Sequence, residues 1–175
     1  MQLATIKQHL DNLKKESLDD IGISLDAVAG MKQMLNDLLD YFRLDNGKET
    51  ILAKPFTVKE LGTRLSSEFA ALADKEGIVL TVENSSDKIA LGDKENILRI
   101  GRNLLSNALK FTDAGSVTLR LSYSDGMLFL SVHDTGSGME EKEQRYIFDA
   151  FKQLGNAATK DGFGLGLSIV KIWWT

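Results

Sequence analysis

Asn103-Leu104-Leu105-Ser106-Asn107-Ala108-Leu109-Lys110-Phe111-Thr112 is the stretch on which the reading of this 175-residue sequence turns. On a helix, Asn103, Asn107 and Lys110 fall at i, i+4 and i+7 and share one face. Leu104, Leu105, Ala108 and Leu109 take the other. A magnesium ion prefers hard oxygen ligands, which an asparagine carbonyl supplies, and it retains several waters and phosphate oxygens. Lys110 would then meet phosphate charge at the helix end. The same spacing also describes a plain amphipathic helix with solvated asparagines, so its meaning depends on what flanks it.

Downstream, Asp134-Thr135-Gly136-Ser137-Gly138-Met139 follows a segment with strand alternation. A carboxylate leaving a strand end into a Gly-x-Gly turn can accept a hydrogen bond from an exocyclic amine such as that of adenine. The glycines allow positive φ and close backbone approach; a simple Asp-Thr-Gly turn is the alternative. Further on, Gly162-Phe163-Gly164-Leu165-Gly166-Leu167-Ser168-Ile169-Val170 runs glycines directly into an apolar helix. Free N–H groups and the positive helix end then coincide, as a phosphate site requires. No Gly-Lys-Ser/Thr follows and no strand precedes, so this is neither a Walker loop nor a dinucleotide fingerprint.

Outward from these motifs, the spacing predicts an edge strand around Pro55, a helix over Val58–Lys75, strands at Ile78–Glu83 and Ile89–Leu91, and a helix from the cap Asp93 to Phe111. Ser116–Tyr123 and Met127–His133 flank Ser124-Asp125-Gly126 as an antiparallel hairpin. A short helix is expected near Glu140–Phe148 and an apolar one over Leu165–Trp173. Before all this, Leu3, Ile6, Leu10 and Leu13 form one helical stripe. Leu18, Ile21, Leu25, Val28, Met31, Leu35, Leu38 and Phe42 form another, ending at Asp45-Asn46-Gly47. With a turn at Glu16-Ser17, helices 2–15 and 18–44 would make an antiparallel hairpin that dimerises into a bundle. The expectation is a helical hairpin over residues 1–47 and an α+β sandwich over 48–175.

Composition excludes several classes. A net charge of −4 gives no basic footprint for nucleic acid, and the absence of cysteine removes disulfides and thiolate metal sites. His9 and His133 lie in unrelated contexts, which leaves no histidine metal cluster. No stretch approaches the ~20 apolar residues of a membrane span. The segment is therefore expected to be cytoplasmic with no direct membrane contact, whether or not its parent protein is anchored in a bilayer.

In order, these motifs, with Ile147-Phe148-Asp149-Ala150-Phe151-Lys152-Gln153 between the second and third, closely resemble the sensor histidine kinases and their relatives of the gyrase and chaperone type. That family carries an asparagine box, a first glycine box, a phenylalanine box and a second glycine box in this sequence. Leu38-Leu39-Asp40-Tyr41-Phe42-Arg43-Leu44-Asp45-Asn46-Gly47 is similar to the end of its second dimerisation helix, and Pro55-Phe56 to the entry into its catalytic domain. The resemblance spans residues 18–172. It implies a two-layer α/β sandwich of the Bergerat type with a mixed, largely antiparallel sheet.

By the resemblance, ATP and Mg²⁺ are the cofactors, with Asn107 as metal ligand and Asn103 and Lys110 at the phosphates, both also counted as catalytic. Asp134 would read the adenine amine, with Gly136 and Gly138 shaping its turn. The second glycine box, Gly162, Gly164, Leu165, Gly166 and Leu167, would cradle phosphates. Residues between Met139 and Gly162 would form a lid anchored by Phe148 and Phe151, closing over nucleotide. In the hydrolytic relatives a glutamate one turn before the metal asparagine acts as base. Asn103 stands there and cannot take a proton from water, so transfer to a histidine is implied, with a response-regulator receiver domain as partner.

Two departures stand out. The family's acceptor histidine is followed by an acidic residue, a basic one and a proline, whereas His9 precedes Leu-Asp-Asn-Leu, so the acceptor box is expected to be absent. The sequence stops at Lys171-Ile172-Trp173-Trp174-Thr175, where relatives add two strands. A fragment is the expectation. The rival reading is a non-catalytic ATP-binding and dimerisation module.

Overall fold

The computed structural model describes residues 2–45, 51–84, 86–152 and 164–174. The chain divides into two units, Met1–Leu39 and Asp40–Thr175.

The first helix corrects the expected hairpin. Gln2–Asp45 is one continuous α-helix of 44 residues (α1), with no turn at Glu16-Ser17. The reason lies in the phase of the stripe. At 100° per residue, Leu10, Leu18, Ile21 and Leu25 fall within about 80° of one another, and neither proline nor glycine occurs between Leu10 and Ile21 to break the chain. What reads as two helices is one stripe in continuous register. Leu18, Ile21, Leu25, Val28, Met31 and Leu35 on that stripe are all exposed.

In the second unit, β1 (Lys54–Thr57) pairs antiparallel with β3 (Ile89–Gly92). Thr57 then caps α2 (Val58–Lys75): its hydroxyl accepts from the Glu60 N–H while Glu60 reaches back to the Thr57 N–H, a capping box. A three-stranded sheet has the order β2-β4-β5, from Ile78–Asn84, Gly115–Ser124 and Met127–Asp134. β2 and β4 run parallel, and such a pair needs a crossover, here the stretch containing α3 (Lys94–Phe111). β4 and β5 run antiparallel through Asp125-Gly126, both at positive φ (53° and 79°), the two-residue turn whose twist matches the strands.

Alternation along β4 separates the faces. Val117, Leu119 and Leu121 are buried, while Arg120 and Ser122 point to solvent. The buried face packs against Leu61 and Leu65 of α2 and Leu98, Leu105 and Leu109 of α3, forming one core. Two layers follow, helices on one face of the sheet, as the sequence leads one to expect. Two of the three strand pairings are antiparallel. The short helix is smaller than its expected span: α4 covers only Glu141–Gln144, followed by turns. Gly166–Trp174 forms α5, whose Ile169 and Val170 are buried. No helix among the described residues is long and apolar enough to cross a membrane.

Candidate functional site

Helix α3 is the axis of the site. Asp93 caps it by accepting from the Asn96 N–H at 3.2 Å, and its second oxygen accepts from the Leu52 N–H at 3.0 Å. Leu98, Gly101, Leu105, Ala108 and Leu109 are its buried residues, a spacing that turns Asn103, Asn107 and Lys110 toward a half-exposed flank. The helix ends where Thr112, buried, returns its hydroxyl to the Ala108 carbonyl at 2.7 Å. Lys110 Nζ lies 4.9 Å from the centre of the Phe111 ring.

The packing of α3 against α2 depends on Gly101. A Cβ there would stand 2.6 Å from Cδ1 of Leu65, so the leucine occupies the space a side chain would need. One residue on, Arg102 binds Glu68 of α2 through Nε (2.6 Å) and Nη2 (2.9 Å), and Arg64 joins Glu68 to Glu95. The Arg102 guanidinium, by its hydrogen bonds and then its charge, holds the Glu68 carboxyl below the usual carboxylate range against the opposing effect of partial burial.

Both glycine loops converge on this helix. At the end of β5, one oxygen of Asp134 accepts from the Gly136 N–H at 3.0 Å, tightening the turn. A Cβ on Gly136 would collide with the Phe111 carbonyl, the same oxygen that accepts from the Ser137 N–H at 3.3 Å. The first loop thus lies flat on the last turn of α3, and Gly138 turns it at φ +67°. At the other loop, a Cβ on Gly166 would come within 3.1 Å of Asn103 Oδ1, so the asparagine side chain rests against the first turn of α5.

Of the predicted residues, Asn103, Asn107 and Lys110 lie on α3, Asp134, Gly136 and Gly138 at and just after the end of β5, and Gly164, Gly166 and Leu167 at or just before the start of α5. The contacts seen join Gly136 to Phe111 and Gly166 to Asn103. Leu165 is 1% exposed and belongs to the packed interior rather than to an open surface. Gly162 lies outside the described residues, as do residues 153–161 of the expected lid. From the described part of that segment, the Phe151 N–H donates to the Gly164 carbonyl at 3.0 Å. Phe151 (φ +64°) meets Tyr41 edge-on at 6.1 Å, and Lys152 Nζ sits 3.3 Å over the Tyr146 ring. Phe148 and Phe151 are both exposed. The motif reading missed Thr135, Ser116 and the Phe111 carbonyl, which build the first loop's seat. Backbone partners carry no sequence signal.

The donor set suits magnesium carried by a nucleotide. Among the described residues no group of three or more His, Asp or Glu could cage a metal, and Mg²⁺ commonly binds through one protein oxygen plus phosphates and water. The Asn107 side-chain oxygen is of the kind that would serve. Gly166, where a Cβ would lie 3.1 Å from Asn103 Oδ1, sets the first turn of α5 beside that asparagine.

A helix bearing two asparagines between two glycine loops, packed on an α+β sandwich, defines an ATP-binding domain. Residues 92–175 match the family described as histidine kinase-, DNA gyrase B-, and HSP90-like ATPase. Over residues 92–175 the chain carries an ATP-binding domain of that family, and it is similar to sensor histidine kinases. It is 33% identical over 166 residues to the autoinducer 2 sensor kinase/phosphatase LuxQ of Vibrio cholerae, covering 90% of this chain and 19% of LuxQ. It is 30% identical over 141 residues to the sensor histidine kinase RcsC of Escherichia coli, covering 78% of this chain and 15% of RcsC. Among solved structures, full-length ShkA in complex with AMPPNP superposes with a TM-score of 0.71 at 34% identity, over 80% of this chain and 29% of that one. The chain thus spans about a fifth or less of the length of these curated relatives.

Proposed function

We propose that this chain binds Mg-ATP and, in its parent protein, transfers the γ-phosphoryl group to a histidine for relay to a response-regulator receiver domain. The observation that carries the reading is the convergence of both glycine loops on the asparagine helix, through Ser137 on Phe111 and Gly166 on Asn103. Asp134 keeps one oxygen engaged with Gly136 and offers the other to the adenine amine. Asn107 would hold magnesium, which would supply positive charge to the phosphates. Asn103 and Lys110 orient the phosphates, and the N–H groups at Gly164 and Gly166 donate to their oxygens. The histidine nitrogen attacks the γ-phosphorus, the bond to the bridging oxygen breaks, and ADP leaves. With Asn103 in place of a carboxylate, that position cannot deprotonate water, which favours transfer over hydrolysis. The exposed apolar stripe of α1 supports a homodimer through that helix.

A calorimetric titration with ATP, with and without magnesium, tests the site. Asp134→Ala should weaken ATP with or without metal, while Asn107→Ala should remove only the gain that magnesium brings. Saturable binding indifferent to both substitutions overturns the assignment. Adding a helical domain with an acceptor histidine and γ-labelled ATP then separates the kinase from the binding module: label on histidine supports the first, tight binding without transfer the second.

A further inference from the structure

The first glycine loop leaves the sheet at Thr135, and its hydroxyl makes the exit. Residues 116 and 135 stand next in register after Val117↔Asp134. In an antiparallel pair whose residues exchange both bonds, each N–H meets the other's carbonyl. Here the Thr135 N–H donates to the Ser116 carbonyl at 3.1 Å, as expected. The Ser116 N–H, however, donates to the Thr135 hydroxyl at 3.0 Å, and that hydroxyl donates back to the Ser116 carbonyl at 3.4 Å. The side-chain oxygen substitutes for the residue's own carbonyl in the ladder. The main chain is thereby freed to turn toward α3 one residue after Asp134. Gly115 completes the seat: it has φ +119°, and a Cβ there would overlap the Thr135 hydroxyl.

The consequence falls on Asp134. By alternation it shares the helix-covered face with Leu128, Leu130 and Val132. Its carboxylate is fixed on the following side by the Gly136 N–H, and Gly136 is fixed by its contact with Phe111. Thr135 lies between these two anchors. We propose that Thr135 is a positioning residue for purine selectivity: its hydroxyl, by replacing a ladder carbonyl, aims the Asp134 carboxylate at a 6-amino group. The inference rests on the assignment of Asp134 to adenine.

The test compares ATP with inosine triphosphate, which has an oxygen where ATP has the 6-amino group but the same triphosphate. Losing an aimed hydrogen bond to a charged acceptor weakens binding by roughly tenfold or more. In Thr135→Val, nearly the same shape without the hydroxyl, the preference for ATP should fall by that order while affinity for magnesium inosine triphosphate is retained, which also reports an intact fold. Thr135→Ser should keep the wild-type preference. Full discrimination in Thr135→Val overturns the proposal, and so does an equal loss for both nucleotides, which marks a purely structural residue. If wild type itself does not discriminate, or Asp134→Ala discriminates as well as wild type, the adenine assignment fails and this inference with it.

Discussion

Replacing Gly101 by alanine sets two effects of similar size against each other, and the structure decides between them. Alanine favours a helix interior over glycine by about 1 kcal/mol, so propensity alone predicts a more stable protein. Yet the new methyl would stand 2.6 Å from Cδ1 and 3.2 Å from Cδ2 of Leu65, and 3.5 Å from Leu130. Leu65 is fully buried in the core, so its displacement must be taken up by packed neighbours. Overpacking of this kind costs about 1–3 kcal/mol. The net expectation is destabilisation of up to about 2 kcal/mol, with α2 and α3 pushed apart. Urea titration followed by circular dichroism measures it, provided the slope is unchanged. The double variant adds a sharper criterion. Leu65→Ala alone should cost about 2–5 kcal/mol through its cavity. When Gly101→Ala is combined with it, the added methyl fills part of that space, so the two losses should fall short of additivity by at least about 0.5 kcal/mol. A stabilised Gly101→Ala, or simple additivity in the pair, would refute the argument that Leu65 fills the place of the missing side chain. Because Asn103 lies two residues further along α3, Gly101→Ala should also weaken ATP binding.

Other expectations follow from the same contacts. Since Arg102 lowers the Glu68 carboxyl in the folded state, its contribution is fully present above the unfolded value of about 4.3 and is lost as pH falls through the lower folded value. Glu68→Gln should therefore cost no more than about 1 kcal/mol at neutral pH, given the partial exposure of the pair, and the difference should vanish in acid. Denaturant midpoints of both proteins across pH measure this, and a gap that widens in acid contradicts it. Gly136→Ala drives a Cβ into the Phe111 carbonyl and should lower ATP affinity by at least about tenfold, read by calorimetry. Gly126→Ala meets nothing within 4 Å but must hold φ +79°. It should cost about 1–2 kcal/mol of stability and leave nucleotide binding unchanged, as a melting curve beside a titration would reveal.

Much of this molecule is legible in its sequence because the signals are local. The cap at Asp93, the stop after Phe111 and the Asp125-Gly126 hairpin are written in residues that act on their own neighbours, and observed helix and strand limits follow them closely. The break assigned at Glu16-Ser17 failed for a related reason: a stripe thinned by polar residues still keeps its helical phase, and phase rather than composition decides continuity. Spacing alone put Asn103, Asn107 and Lys110 on one face. Tertiary structure alone decided that Leu65 stands in for a side chain at Gly101, that Arg102 reaches Glu68 across two helices, and that the Phe111 carbonyl receives the first glycine loop. Each of these joins residues distant in the chain through close packing or a backbone oxygen. Backbone oxygens are the same at every position, so no residue type records which of them will be used.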